Sequence, residues 1–170
     1  MKVLAVFDDP YYTDHGIDTL RFTARVFLRN EREELAFLHI LGEDDFGKRD
    51  HFETPGGGVE EGETFIDAAK REVMEELGFV ASDFKLIGMV VDEYHLIKRQ
   101  TCTVYFEARY HNQNGSIMRT DEEQILIRDV HWFNTHEALM RLSSANSPIG
   151  SLIHRRELMA LQELISNNQS

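Results

Sequence analysis

Three glutamates, Glu72, Glu75 and Glu76, stand at i, i+3 and i+4 in a stretch whose apolar residues recur at helical spacing. On a helix their carboxylates share one stripe beside the apolar face. Like charges so placed destabilise a helix by roughly 0.2 to 0.5 kcal/mol per pair, and the opposite pair on offer, Arg71 with Glu75, has the less favourable polarity. Local helix energetics do not explain the cluster. A hard dication does, because Mg²⁺ or Mn²⁺ takes oxygen ligands, keeps part of its water and is commonly shared between carboxylates and substrate phosphates. The glutamates alone also fit a solvated acidic helix face. Upstream, Gly56-Gly57-Gly58 lets the main chain pass close to a ligand and bares carbonyl or N–H groups. The succession of glycine loop, capped helix and acidic stripe is rarer than any of its parts.

The elements that must position these groups are legible in outline. Thr64 with Asp67 makes a capping box, Ile66, Ala69, Val73 and Leu77 repeat at helical spacing, and Gly78 supplies the stop, so a helix is expected over 65–77. Alternation of Phe22, Ala24, Val26 and Leu28 against Arg21, Thr23, Arg25 and Phe27 predicts a half-buried strand. Leu35 to Leu41 reads as its hairpin neighbour, and a third strand runs through Phe52 to the break at Pro55. Further strands are expected over 85–91, 100–110 and 125–133, a turn-rich loop over 111–116, a short helix over 135–142, and a terminal helix over 151–165 after the breakers Pro148 and Gly150. Sheet with few helices implies an α+β layered fold.

The chain has 170 residues with no repeat and no long linker, which predicts one domain over 1–170. No apolar run is long enough for a membrane span or a signal sequence. Eighteen Lys and Arg against 30 Asp and Glu give a formal charge of -12, so the average surface repels a long nucleic acid. A small phosphorylated substrate needs cations where it lands. The single cysteine, Cys102, cannot form an internal disulfide and fits a reducing, cytoplasmic compartment.

From Gly57, five residues lead to Glu63 and seven more to Arg71-Glu72, followed by Val73, Met74, Glu75-Glu76, Leu77, Gly78 and Phe79. This resembles a complete Nudix box, with an aromatic Phe79 where a branched aliphatic is usual. The box covers residues 57–79, and its flanks, Pro55 to Glu60 and Trp132-Phe133, resemble features that often accompany it. The resemblance to the Nudix (MutT-like) hydrolases implies a mixed β-sheet sandwiched between α-helices. It also implies hydrolysis of the pyrophosphate bond in a nucleoside diphosphate linked to another moiety. Water attacks phosphorus there while Mg²⁺ or Mn²⁺ neutralises the phosphate oxygens and activates the nucleophile.

Carried over by position, Glu72, Glu75 and Glu76 hold the metals, with the Gly56 carbonyl as a further ligand. Gly57, Glu63, Arg71 and Gly78 are structural, Glu63 and Arg71 bracing the box through a salt bridge. Family members differ in the general base, and Glu75, Glu122 and Glu123 are the candidates here. Tyr94 lies near a tyrosine associated with dinucleoside polyphosphate hydrolases, and no proline marks an ADP-ribose pyrophosphatase. Non-catalytic relatives that act as ligand sensors usually lose box carboxylates, and here none is missing. The resemblance also leaves room for a homodimer.

Outside the box, Arg21 and Arg25 share a strand face and could meet phosphate, or could solubilise an edge. His51 and Phe52 precede Pro55 where relatives carry an aromatic, which offers a contact to a base or sugar against plain core packing. The eight histidines fall in no tight His-x-x-x-His or cysteine-containing pattern, which argues against zinc.

Overall fold

The computed structural model describes every residue except 113, 114 and 170. Its strands are β1 (Val3–Phe7), β2 (Thr19–Arg29), β3 (Leu35–Asp44), β4 (Gly47–Glu53), β5 (Gly56–Gly58), β6 (Val80–Tyr94), β7 (Arg99–Asn112) and β8 (Ile127–Phe133). The helices are α1 (Phe65–Leu77), α2 (Asp121–Leu126), α3 (Thr135–Leu142) and α4 (Pro148–Gln169). All strands join one mixed sheet in the order β1-β6-β7-β2-β3-β4, with β5 on β2 and β8 on β3. The β1–β6 and β2–β7 pairs are parallel and the others antiparallel.

Alternate residues of the central strands feed two cores. Ala24, Val26 and Leu28, with Ala36 and Leu38, pack under Ala69, Val73 and Leu77 of α1. Phe27, Phe37 and Tyr105 face the other way, under α3 and α4, against Ala138, Leu142, Ala160 and Leu161. Helices on both faces of a sheet give the three layers implied by the Nudix resemblance. This corrects the expectation of a half-buried β2: both faces of its second half are covered, while Phe22 in the first half is exposed.

The expected hairpin also differs. β2 and β3 pair only where they join, Arg29 with Leu35. Elsewhere β7 takes one edge of β2 along its whole length, and the three glycines of β5 take the other edge over Thr23 to Arg25. β3 turns instead to β4 and β8. Two strands that share a hairpin but diverge leave a gap, and the site lies in it.

Three further boundaries move. Residues 121–126 are helical, because Thr120 and Glu123 form a reciprocal capping box that overrides the apolar pattern starting at Ile125. Pro148 and Gly150 sit inside α4: proline opens the helix where its missing N–H has no partner to lose, and the Ser147 hydroxyl accepts from the Gly150 N–H at 3.1 Å. β6 is longer than expected and β1 was not foreseen. Of the loop expected over 111–116, the first two residues end β7, and 113 and 114 lie outside the described residues.

Candidate functional site

The Thr64 hydroxyl accepts from the Asp67 N–H at 3.2 Å and starts α1. Gly78, left-handed at φ 68°, ends it, with its N–H on the Met74 carbonyl at 2.8 Å. Because the apolar face of α1 is pinned to β2, Glu72 and Glu76 point into the protein and are buried, while Glu75 lies further out. The stripe therefore splits. Arg71 gathers one side of it: its guanidinium donates to Glu63 at 2.9 and 3.0 Å, to Glu72 at 2.8 Å, to Glu75 at 3.0 Å and to the Gly58 carbonyl at 2.8 Å. These bonds tie the helix to the glycine strand and draw Glu75 aside.

The other side of the stripe meets α2. Ligand oxygens of Glu72, Glu76 and Glu123 all lie within 4.8 Å of one another. Glu75 is not in this group, and Glu123, from a distant part of the chain, takes its place. The position of Glu123 is fixed by its own capping role, since its carboxylate accepts from the Thr120 N–H at 2.8 Å. Glu122 lines the same cavity. Gly56 enters through its N–H, which donates to Glu76 at 2.8 Å. At Gly57 a Cβ would overlap the Glu72 carboxylate, so any side chain there would push that carboxylate out of its place in the cluster.

Burial pushes the Glu76 carboxyl well above the usual carboxylate range; Arg25 opposes and Glu72 reinforces the shift. Glu72 is pushed up for the same reason, with Arg71 opposing. Both groups thus lack enough positive charge around them for easy ionisation. Three carboxylates on one point, two of them buried and short of cations, form an all-oxygen donor set that fits a hard dication.

The cavity, about 230 Å³, is walled on its other side by Arg21, Arg25, Arg49, Arg99 and Arg156. Three of these are engaged. Arg25, half-buried, donates to the Thr54 carbonyl and lies 3.3 Å from Glu53, Arg49 is paired with Asp44, and Arg156 donates to Tyr94 at 3.0 Å and Glu157 at 3.2 Å. Among the described residues, Arg21 and Arg99 have no carboxylate partner, and the Arg99 Nε is buried without any partner. Burial lowers the pKa of each, and Arg21 lowers that of Arg99 further. Arg99 escaped the sequence reading because its place depends on the parallel register that sets Thr19 beside Arg99 and Arg21 beside Thr101. Tyr94 reaches the same wall, with its hydroxyl on Asp92 at 2.6 Å.

His51 and Phe52 do not line this cavity. Alternation along β4 sends Phe52 to the opposite face, where it stacks on His39 at 4.8 Å; His51 shares its face with Arg49 and Glu53, which line the cavity, but is sealed off under α4 by Gly150. A larger cavity, about 610 Å³, lies elsewhere, but its arginines are already paired, Arg29 with Glu107 and Arg109 with Glu33.

The family model of the NUDIX domain matches residues 19–154, most of the chain, including the carboxylate cluster and every wall arginine of the cavity but Arg156. The chain belongs to the NUDIX family. It is accordingly a hydrolase of phosphoric anhydrides, from a family that generally uses divalent metal ions. The sequence matches none of the curated proteins. Among solved structures it is similar to a NUDIX hydrolase from Nitrosomonas europaea, with a TM-score of 0.66 and 16% identity over 86% of this chain and 89% of that one. A MutT NUDIX hydrolase from Burkholderia pseudomallei gives 0.61 and 17% over 85% and 98%. A MutT protein from Methanosarcina mazei Go1 gives 0.59 and 17% over 93% and 100%. At such identity the likeness is one of fold, and this NUDIX hydrolase must be read through its own cavity. Among the described residues no helix is long and apolar enough to cross a membrane.

Proposed function

We propose that this hydrolase cuts the pyrophosphate bond of a small nucleotide-like diphosphate, with Mg²⁺ or Mn²⁺ held by Glu72, Glu76 and Glu123. The observation that carries the reading is one cavity with two walls: a cation-deficient carboxylate cluster faces Arg21 and Arg99, two arginines without carboxylate partners. A diphosphate with its dications satisfies both walls at once. When bound, the dication neutralises phosphate oxygens and makes water a better nucleophile.

The residues of the chain do the rest. Gly57 lets Glu72 reach the cluster, Arg71 fixes the stripe against the glycine strand, and the Gly56 N–H orients the Glu76 carboxylate. Arg21 and Arg99 hold the anionic end of the substrate through charge-assisted hydrogen bonds. Of the glutamates on the cavity wall, only Glu122 has neither hydrogen bond nor ion pair among the described residues, and we assign it the proton of the attacking water. Glu75, which shares the Arg71 guanidinium, is the weaker base. Cys102, free and buried, supports a cytoplasmic setting.

A panel of nucleoside triphosphates, nucleotide sugars and dinucleoside polyphosphates, assayed with Mg²⁺ and with Mn²⁺ for phosphorylated products, tests the reading. Turnover of at least one that is abolished by chelator and restored by metal is expected. Tight binding without product across the panel would favour a ligand-sensing domain instead.

A further inference from the structure

A second group of potential ligands lies on the α3/α4 side of the sheet, away from the cavity. His39 of β3 stands opposite Asp129 of β8, and His131 follows two residues along the same strand, on the same face. The ligand atoms of His39, Asp129 and His131 lie within 4.8 Å of one another. His39 Nδ1 and His131 Nε2 are each 3.7 Å from the same oxygen, Oδ2 of Asp129. From β4, Asp50 accepts from His39 Nε2 at 2.9 Å. That bond puts a proton on Nε2 and leaves Nδ1, the nitrogen that faces Asp129, as the one a metal can take. His131 Nε2 has no exposed surface and no hydrogen-bond partner. The rings are held by stacking, His39 on Phe52 at 4.8 Å and His131 on Phe133 at 5.5 Å.

We propose that His39, His131 and Asp129 bind a late first-row transition-metal dication such as Zn²⁺, with Asp50 orienting His39 as the outer carboxylate of a carboxylate–histidine–metal arrangement. Two imidazoles and one carboxylate suit Zn²⁺ and its neighbours, whereas Mg²⁺ prefers oxygen alone. Metal-to-ligand bonds of about 2.1 Å put tetrahedral ligands about 3.4 Å apart, so the observed 3.7 Å spacings need close by only a few tenths of an ångström. An orphaned, buried imidazole nitrogen is what a vacant ligand position leaves behind. No sequence pattern reveals this group, because its members meet only through the β3–β8 register.

The test uses untagged full-length protein in millimolar Mg²⁺, which occupies the oxygen cluster. Equilibrium dialysis against Zn²⁺ and the ligand-field spectrum of added Co²⁺ report the second site. One equivalent of Zn²⁺ is expected on the wild type and equally on Glu76→Gln, whatever becomes of turnover in that variant. His131→Gln and Asp129→Asn should lose the equivalent and the Co²⁺ spectrum while keeping the wild-type circular dichroism, and Asp50→Asn should weaken binding about 10- to 100-fold. Zn²⁺ that stays on folded His131→Gln, that leaves with Glu76→Gln, or that never binds the wild type overturns the proposal.

Discussion

Two sets of carboxylates, all buried but the half-buried Glu53, lie within the same part of the fold and are treated in opposite ways. Glu53 and Glu157 are met by the protein's own cations and donors. Burial alone would push the Glu53 carboxyl up, but Arg25, His51 and Arg156 together hold it well below the usual carboxylate range. Glu157, fully buried, accepts from Thr54 at 2.8 Å, Tyr105 at 3.1 Å and Arg156 at 3.2 Å. Glu72 and Glu76 are left short: burial dominates, and their carboxyls are pushed up. A buried charge with full compensation is architecture, and one without it is a standing cost that folding alone does not explain. The second kind persists where something from outside completes it.

The largest effect should come from neutralising the uncompensated set. Glu76→Gln keeps the shape and the acceptor for the Gly56 N–H, yet removes one of the charges proposed to hold the dication. Turnover measured with Mg²⁺ should fall by about a thousandfold or more, since the step depends on charge neutralisation in the transition state. Metal-free protein of the same variant should melt at a higher temperature than the wild type. A rate near wild type, or a lower melting temperature, removes the contrast between the two sets.

The compensated set should respond in the reverse sense. Arg156→Met leaves Glu157 and Tyr94 without their cation, and loss of one partner of a buried pair costs about 3 to 5 kcal/mol. Urea unfolding should show that loss with or without metal. Glu157→Gln, which retains its acceptor oxygen, should be milder.

Acidity separates the sets without mutation. The raised carboxyls of Glu72 and Glu76 bind protons more tightly folded than unfolded, so their contribution is fully present below the unfolded pKa and is lost as pH rises through the folded one. Glu53, lowered on folding, contributes above its unfolded pKa and loses that stability as pH falls through the folded one. Calorimetry on metal-free protein should therefore find stability declining on the alkaline side of the ordinary glutamate range as well as on the acid side. Mg²⁺ should remove the alkaline decline only. If Mg²⁺ leaves it in place, the cluster does not bind the ion.

Much of the box was legible because it is local. Thr64, Asp67 and Gly78 bound α1 within a few residues of one another, and a stripe at i, i+3 and i+4 follows from helix geometry alone. What the sequence hid was long-range. That Glu75 turns away and Glu123 arrives depends on Arg71 and on the Thr120 cap, elements that meet only in the fold. Likewise the alternation of β2 was readable, but not that β5 and β7 flank it and part it from β3, which opens the cavity. His51 shows the limit from the other side: it is close in sequence to the box and shares a strand face with Arg49 and Glu53, yet α4 buries it away from the cavity.

The smallest effect, and the one that tests the cationic wall by itself, belongs to Arg99. Its side chain is partly buried with an unpartnered Nε and lies near Arg21, so the free protein bears a repulsion that an anion would relieve. Arg99→Met should keep the packing against Tyr94, over whose ring the guanidinium now sits at 5.7 Å, while deleting the charge. The melting temperature of the ligand-free variant should stay the same or rise slightly. The KM for the best diphosphate substrate should rise by about tenfold, the worth of one charge-assisted contact of roughly 1.5 kcal/mol, with kcat little changed. An unchanged KM would place the anionic end of the substrate on Arg21 alone; a fall in stability would mean that Arg99, like Arg156, belongs to the architecture and that the two walls of the cavity are not complementary halves of one site.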